Sequence, residues 1–146
     1  HIMTTITTRP SLPVAIGLLQ RAGLPSEDLT EERLEEFFVA GDPTAPLGMV
    51  GLELSPPHGL LRSLVVEAHA RSSGLGSRLL AHAEAYARAR GVRSLYLLTT
   101  TAEAFFAARG YVRADRNEAP PSIRSSSEFT TLCPASAAFM VKHLKE

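Results

Sequence analysis

At 146 residues, 45% hydrophobic and 21% charged, the chain has the size and composition of one soluble globular domain around one core. Fifteen Lys and Arg balance fifteen Asp and Glu, and a net charge of zero argues against a general nucleic-acid binder. No apolar stretch is long enough to cross a membrane, so neither nucleic acid nor a lipid bilayer is an expected partner. The start carries no charged-then-apolar signal peptide. The single cysteine, Cys133, cannot close an internal disulfide, which fits the expected reducing cytoplasm. No two histidines stand at zinc-ligand spacing, so no metal site is expected. His1-Ile2 before Met3 reads as a cloning remnant, which leaves 4–146 as a single domain.

Thr4 to Arg9 is rich in β-branched residues and reads as a strand. Pro10 and Ser11 open a helix through about Ala22, with Pro13 tolerated in its first turn and Gly23 and Pro25 stopping it. Thr30 caps a second, acidic helix that Arg33 to Phe37 continue. Phe38 to Ala40 is a short strand, and 41–46 a turn cluster. Leu47 to Leu54 and Leu60 to Val66 are apolar runs joined by 55–59. They read as neighbouring antiparallel strands buried on both faces. From Gly74 to Arg90, Leu75, Leu79, Leu80, Ala83, Tyr86 and Ala87 recur at spacings of three and four, one core-facing helical stripe. Gly91 stops it. Ser94 to Thr99 is a further buried strand. Thr100 and Glu103 form a capping box for a short helix that holds Phe105 and Phe106 and ends near Gly110. Tyr111 to Ala114 begins another strand, 117–127 is mostly irregular, and Ala137 to Leu144 is the last strand.

The run Arg71-Ser72-Ser73-Gly74-Leu75-Gly76 sits between a strand and the long helix. Such a turn presents backbone N–H groups and a positive helix end to an anion, and its glycines let the backbone approach closely. With the elements in this order, the chain resembles the GNAT superfamily of acetyl-CoA-dependent N-acetyltransferases over most of its length. The segments Leu61-Arg62-Ser63-Leu64-Val65-Val66, 97–103, 126–129 and 132–137 resemble the branch named for arsenic resistance. The resemblance implies an α/β fold: a mixed, mostly antiparallel central sheet with helices on both faces. It implies acetyl-CoA as co-substrate and a small-molecule amine acceptor, and it allows a homodimer. The main chain of Leu64, Val65 and Val66 would bond the pantetheine arm. The N–H groups of Ser72, Ser73, Gly74, Leu75, Gly76 and Ser77 would cradle the pyrophosphate, with Arg71 adding a charge-assisted contact.

Acetyl transfer to an amine requires removal of a proton from the ammonium, donors for the carbonyl oxygen and an acid for the departing thiolate. Many relatives carry Tyr where this chain has Phe106, and Asn where it has Thr99, so the usual acid is missing. Glu53 is a candidate general base or an exposed strand carboxylate. Cys133 is a candidate proton donor or a buried small hydrophobe. Glu103 is explained by capping. Strand alternation places Arg62 on the face of Leu64 and Val66. Arg62 there grips an acid group of the acceptor or forms an internal salt bridge, and an amino-acid-like acceptor follows from the first reading. Segment 124–136 walls the acceptor pocket, with Thr99, Arg124, Ser126 and Glu128 as candidate substrate contacts. A single thiol argues against direct binding of trivalent arsenic, which needs several soft ligands together. Two alternatives stand beside a small-molecule N-acetyltransferase: a non-catalytic acyl-CoA sensor, and an acetyltransferase for peptide or protein amines.

Overall fold

The computed structural model describes residues 5–145; the expected remnant at 1–3, the expected strand start at Thr4, and Glu146 lie outside them. Seven strands form one sheet in the order β1-β2-β3-β4-β5-β7-β6. They are β1 (Ile6–Thr8), β2 (Phe37–Ala40), β3 (Gly48–Ser55), β4 (His58–Val66), β5 (Ser94–Thr99), β6 (Val112–Arg113) and β7 (Ala138–His143). Every pairing is antiparallel except β4 with β5. The helices are α1 (Leu12–Ala22), α2 (Leu75–Ala89), α3 (Glu103–Ala107) and the single turn α4 (Pro121–Arg124).

The two long helices form where capping and periodicity agree. The Ser11 hydroxyl accepts the N–H of Val14 at 3.3 Å, Pro13 lies in the first turn, and Gly23 closes α1 in the left-handed region. Ala15, Leu18 and Leu19 pack on Phe37, Val39, Met49 and Val65 on one face of the sheet. On the other face Leu79, Leu80, Ala83 and Ala87 of α2 meet Phe38, Val50, Leu52 and Leu61. The strands between are therefore apolar on both sides. A third cluster of Leu60, Ala119, Ile123 and Phe139 joins β4 and β7 to the segment that precedes β7.

Three local expectations are corrected. The acidic helix after Thr30 is a single 3₁₀ turn, Arg33–Glu36. Thr30 does cap it, accepting the Arg33 N–H at 3.3 Å. Phe37 and Phe38, however, bury to opposite faces when extended, and the sheet takes them into β2. The box of Thr100 and Glu103 does not form. The Thr99 hydroxyl takes the Ala102 N–H at 3.0 Å, while Glu103 turns out to Arg113 at 2.5 and 2.8 Å. Stretch 117–127 is not mostly irregular: α4 and a 3₁₀ turn, Arg116–Glu118, lie within or across its start.

Two features of β4 open and orient the space beside it. It pairs with β5 only over His58–Leu60 opposite Ser94–Tyr96, after which the two strands part. Against β3, Met49 faces Val65 and Gly51 faces Arg62, so β4 holds one extra residue, a bulge at Ser63, whose φ is 60°.

Candidate active site

Where β4 and β5 part, a cleft of about 820 Å³ opens. Its walls are Leu61 to Val66 of β4, Leu97 to Ala102 after β5, Phe105 and Phe106 of α3, the Ala22–Pro25 turn with Glu27, and Glu128, Cys133 and Pro134. The β5-facing main chain of Leu64 to Val66 has no strand partner among the described residues. An extended ligand can therefore add to this edge.

One end of the cleft is the turn into α2. The Arg71 Nε donates to the Val66 carbonyl at 3.1 Å and anchors the turn to the end of β4. The Ser73 hydroxyl bonds the Ala70 carbonyl at 2.6 Å. Ser72 and Gly74 stand at φ 68° and 83°, and glycine adopts the second without steric cost. No hydrogen bond among the described residues takes up the backbone N–H groups of Ser72 to Ser77. Six donors at the positive end of a 15-residue helix make a place for an anion. At Gly76 a side chain would crowd Phe105, 3.5 Å from the position of a Cβ. Sequence reading missed Arg109 here. Its guanidinium stacks 3.7 Å over Phe105 and donates twice to the Ser77 hydroxyl oxygen, at 2.9 and 2.6 Å. With both lone pairs of that oxygen engaged, the hydroxyl proton is left to point elsewhere. The available signal was the four-residue spacing of Phe105, in α3, and Arg109, in the turn that follows it.

At the other end lies a buried ion cluster centred on Arg62, 2% exposed. Its guanidinium donates to Asp28 at 2.5 and 2.8 Å, to Glu53 at 2.9 Å and to the Ser63 hydroxyl at 3.1 Å. Four of its five N–H groups are thereby engaged. The fifth faces Glu128, whose Oε2 lies 3.5 Å from the same nitrogen that serves Asp28. Arg33 closes the ring, 3.3 Å from Glu53 and 4.0 Å from Asp28. Burial disfavours the Arg62 charge, but Asp28, Glu128 and Glu53 outweigh it and raise its pKa overall. Burial likewise pushes Asp28 up, and the hydrogen bond and charge of Arg62 more than reverse this, leaving it below the ordinary carboxylate value.

The expected face of Arg62 is corrected. Leu64 and Val66 pack with Leu61 toward α2. Arg62 lies 5.7 Å from the Phe37 ring centroid, on the α1 face that Val65 shares. The extra residue at Ser63 shifts the alternation by one, so Arg62 and the two residues expected beside it point to opposite faces.

Glu128 opens a one-turn π segment, Glu128–Leu132. The Cys133 N–H returns to the Glu128 carbonyl at 3.0 Å, and its thiol donates to Glu128 Oε1 across 3.6 Å. Burial raises the Glu128 pKa against the lowering effect of Arg62. Burial and the Glu128 charge push the Cys133 thiol up to about 12. It stays protonated at neutral pH.

Of the residues expected to touch substrate, Arg62, Glu128 and Thr99 line the cleft and Arg124 and Ser126 do not. Arg124 donates to the Asn117 carbonyl, and Ser126 links the Ile123 carbonyl to the Phe129 N–H. Both brace their own segment. Cys133 lines the cleft; Glu53 stands behind Arg62, outside the lining. Phe106, 5% exposed, closes the cleft wall edge-on to Tyr111. Asp28 was unforeseen, because it lies 34 residues from Arg62 in a loop without periodicity.

The sequence profile of the acetyltransferase (GNAT) family matches residues 6–113. An amino-acid acetyltransferase of Ralstonia nicotianae is 35% identical over 98 residues, 66% of this chain and 22% of that protein. N-alpha-acetyltransferase 80 of Mus musculus is 48% identical over 59 residues, 40% of this chain and 19% of that one. The fold matches N-acetylglutamate synthase from Neisseria gonorrhoeae, solved with coenzyme A and N-acetyl-glutamate. The TM-score is 0.84 at 24% identity, covering 100% of this chain and 36% of the other. The chain thus spans well under half the length of these relatives.

Proposed function

Because the chain belongs to the acetyltransferase (GNAT) family, with acetyl-CoA as co-substrate, we propose that it moves an acetyl group from acetyl-CoA to the amine of a small, amino-acid-like acceptor. The observation that carries this reading is the cleft itself. It joins an open strand edge, a turn with six free N–H groups and a buried acid cluster in one continuous space.

In this reading the pantetheine arm adds to the β4 edge at Leu64 to Val66, and the pyrophosphate rests on the N–H groups of Ser72 to Ser77 near Arg71. The thioester then lies at the fork of β4 and β5, and the acceptor enters from the side of Glu128, Cys133 and the turn after α1. Holding amine and thioester together supplies much of the rate. The acceptor class draws support from the amino-acid acetyltransferases among the relatives and from a cleft walled by the segment before β7. Arg62, enclosed by Asp28, Glu53 and Glu128, holds this end of the cleft together, and the acceptor meets Glu128 before it. An arsenic-containing amino acid has the same amine and acid and is a narrower form of the same proposal. A cytoplasmic setting and a homodimer belong to it as well. No helix among the described residues is long and apolar enough to cross a membrane.

One observation favours a second reading. Phe106 holds the place where many relatives carry a tyrosine hydroxyl, which suits a sensor that binds acetyl-CoA without turnover. The two readings part in one experiment: calorimetric titration with acetyl-CoA, then thiol release with a panel of amino acids, amines and peptides. The enzyme reading expects binding and release of free thiol with an amino-acid acceptor. Binding with no thiol release on any acceptor favours the sensor. No binding overturns both.

A further inference from the structure

Glu128 is the one carboxylate of the acid cluster that both lines the cleft and lacks a close donor among the described residues. Asp28 has two short bonds to Arg62, and Glu53 is shared between Arg62 and Arg33. Glu128 is 4% exposed, yet among the described residues its two oxygens meet only a guanidinium nitrogen at 3.5 Å and a thiol at 3.6 Å. A buried carboxylate so thinly served carries a desolvation cost that a further donor would relieve. The cluster also sets two guanidinium groups, Arg33 and Arg62, against three carboxylates, which leaves it one negative charge in excess. The π turn supplies the geometry. Its five-residue repeat brings Glu128 and Cys133 onto one side, facing the cleft.

We propose that Glu128 receives the acceptor's ammonium group and takes its proton, with Cys133 as the positioning residue that orients the carboxylate. The proposal rests on the acetyltransferase reading above. An N–H proton of the ammonium passes to a Glu128 oxygen, and the nitrogen keeps the bonding pair. That pair forms the C–N bond at the thioester carbonyl carbon. The C–S bond breaks with its electrons on sulfur, the second proton of the attacking nitrogen ends on the thiolate, and glutamic acid returns its proton to water. Atoms and charge balance: ammonium and thioester become amide, thiol and one released proton. Arg62, always charged, cannot be the base, and Glu53 is committed to two arginines.

The charged and titratable groups around Glu128 are Arg62 on β4, Glu53 on β3, Asp28 in the loop after α1, and Cys133. Burial raises the Glu128 pKa, so activity carried by its ionised form falls as pH drops through that raised value.

The test measures kcat and KM against pH for the wild type, Glu128→Gln, Glu128→Asp, Cys133→Ser and Cys133→Ala. Two acceptor sets are used: amino acids with ordinary ammonium groups, and weakly basic amines such as hydroxylamine that are already neutral at assay pH. We expect Glu128→Gln to lose at least about 100-fold in kcat on basic amines. Its loss on neutral amines should be far smaller, and acetyl-CoA KM should stay unchanged. Glu128→Asp should recover part of the loss, and Cys133→Ser should exceed Cys133→Ala, because the hydroxyl still donates. A Glu128→Gln variant within about threefold of wild type on basic amines overturns the proposal. So does a loss equal on both acceptor sets. A wild type that binds acetyl-CoA but acetylates no amine fails at the underlying reading instead, which the variants' ratios cannot mimic.

Discussion

Replacing Arg62 with the uncharged, similarly long methionine removes the centre of its cluster and leaves Asp28, Glu53 and Glu128 facing one another without their shared cation. Breaking a buried pair in this way costs about 3–5 kcal/mol, and we expect a loss of that order for Arg62→Met in urea denaturation. A loss below about 1 kcal/mol would mean that water already screens the cluster. Arg109 is the residue-scale counterpart at the opposite end of the cleft. It holds the Ser77 hydroxyl oxygen by two donors beside the free N–H groups of α2. Charge-assisted bonds of this kind are worth about 1.5–3 kcal/mol. Arg109→Ala should therefore weaken acetyl-CoA binding about tenfold. Binding of acetyl-pantetheine, which lacks the phosphates, should not change. Equal weakening of both ligands would make Arg109 a packing residue. Neither Asp28 nor Arg109 was legible beforehand. Asp28 is a lone charge in a loop with no local pattern, and the spacing of Arg109 from Phe105 gives a neighbour on its own turn but not Ser77, 32 residues away.

At the scale of elements, α2 was readable because its stripe at three and four residues is a local property. The strands β3 and β4 were readable because both their faces are buried over most of their length, and β5 because its run is apolar with Leu95 and Leu97 in the core. The bulge in β4 was not, because Ser63 breaks no sequence pattern. Only the unequal pairing of β3 and β4 creates it. Its effect is large all the same: it turns Leu64 and Val66 toward α2, and Arg62 and Val65 toward α1. Ser63 sits at a φ of 60°, where a β-branched side chain is strained. We expect Ser63→Val to cost about 1–3 kcal/mol in thermal or urea unfolding and to weaken acetyl-CoA binding through the distorted β4 edge. A variant as stable as the wild type would show that the bulge relaxes freely.

Across the whole molecule, the acid cluster ties the loop after α1, β3, β4 and the segment before β7 into one electrostatic unit, and its pH dependence has two signs. Asp28 titrates below its ordinary 3.8, so its contribution is present above that value and is lost as pH falls through the folded one. Glu128 titrates above its ordinary 4.5, so its contribution is full below that value and is lost as pH rises through the folded one. Denaturation of the wild type and Glu128→Gln across pH separates them. As pH is lowered toward 4.5, the wild type should gain stability relative to the variant; below 3.8 both should lose it. A gap that does not change with pH would mean that Glu128 titrates alike folded and unfolded. The sequence by itself determined the succession of strands and helices along the chain, the helix that covers one face and the glycine-bearing turn at its start. Each of these rests on local periodicity or on a backbone angle. The acceptor end of the cleft was decided only by the tertiary structure. Asp28, Glu53, Arg62 and the Glu128–Cys133 turn lie on separate stretches of chain, and which charges share a low-dielectric space depends on where the folded sheet and its bulge bring them.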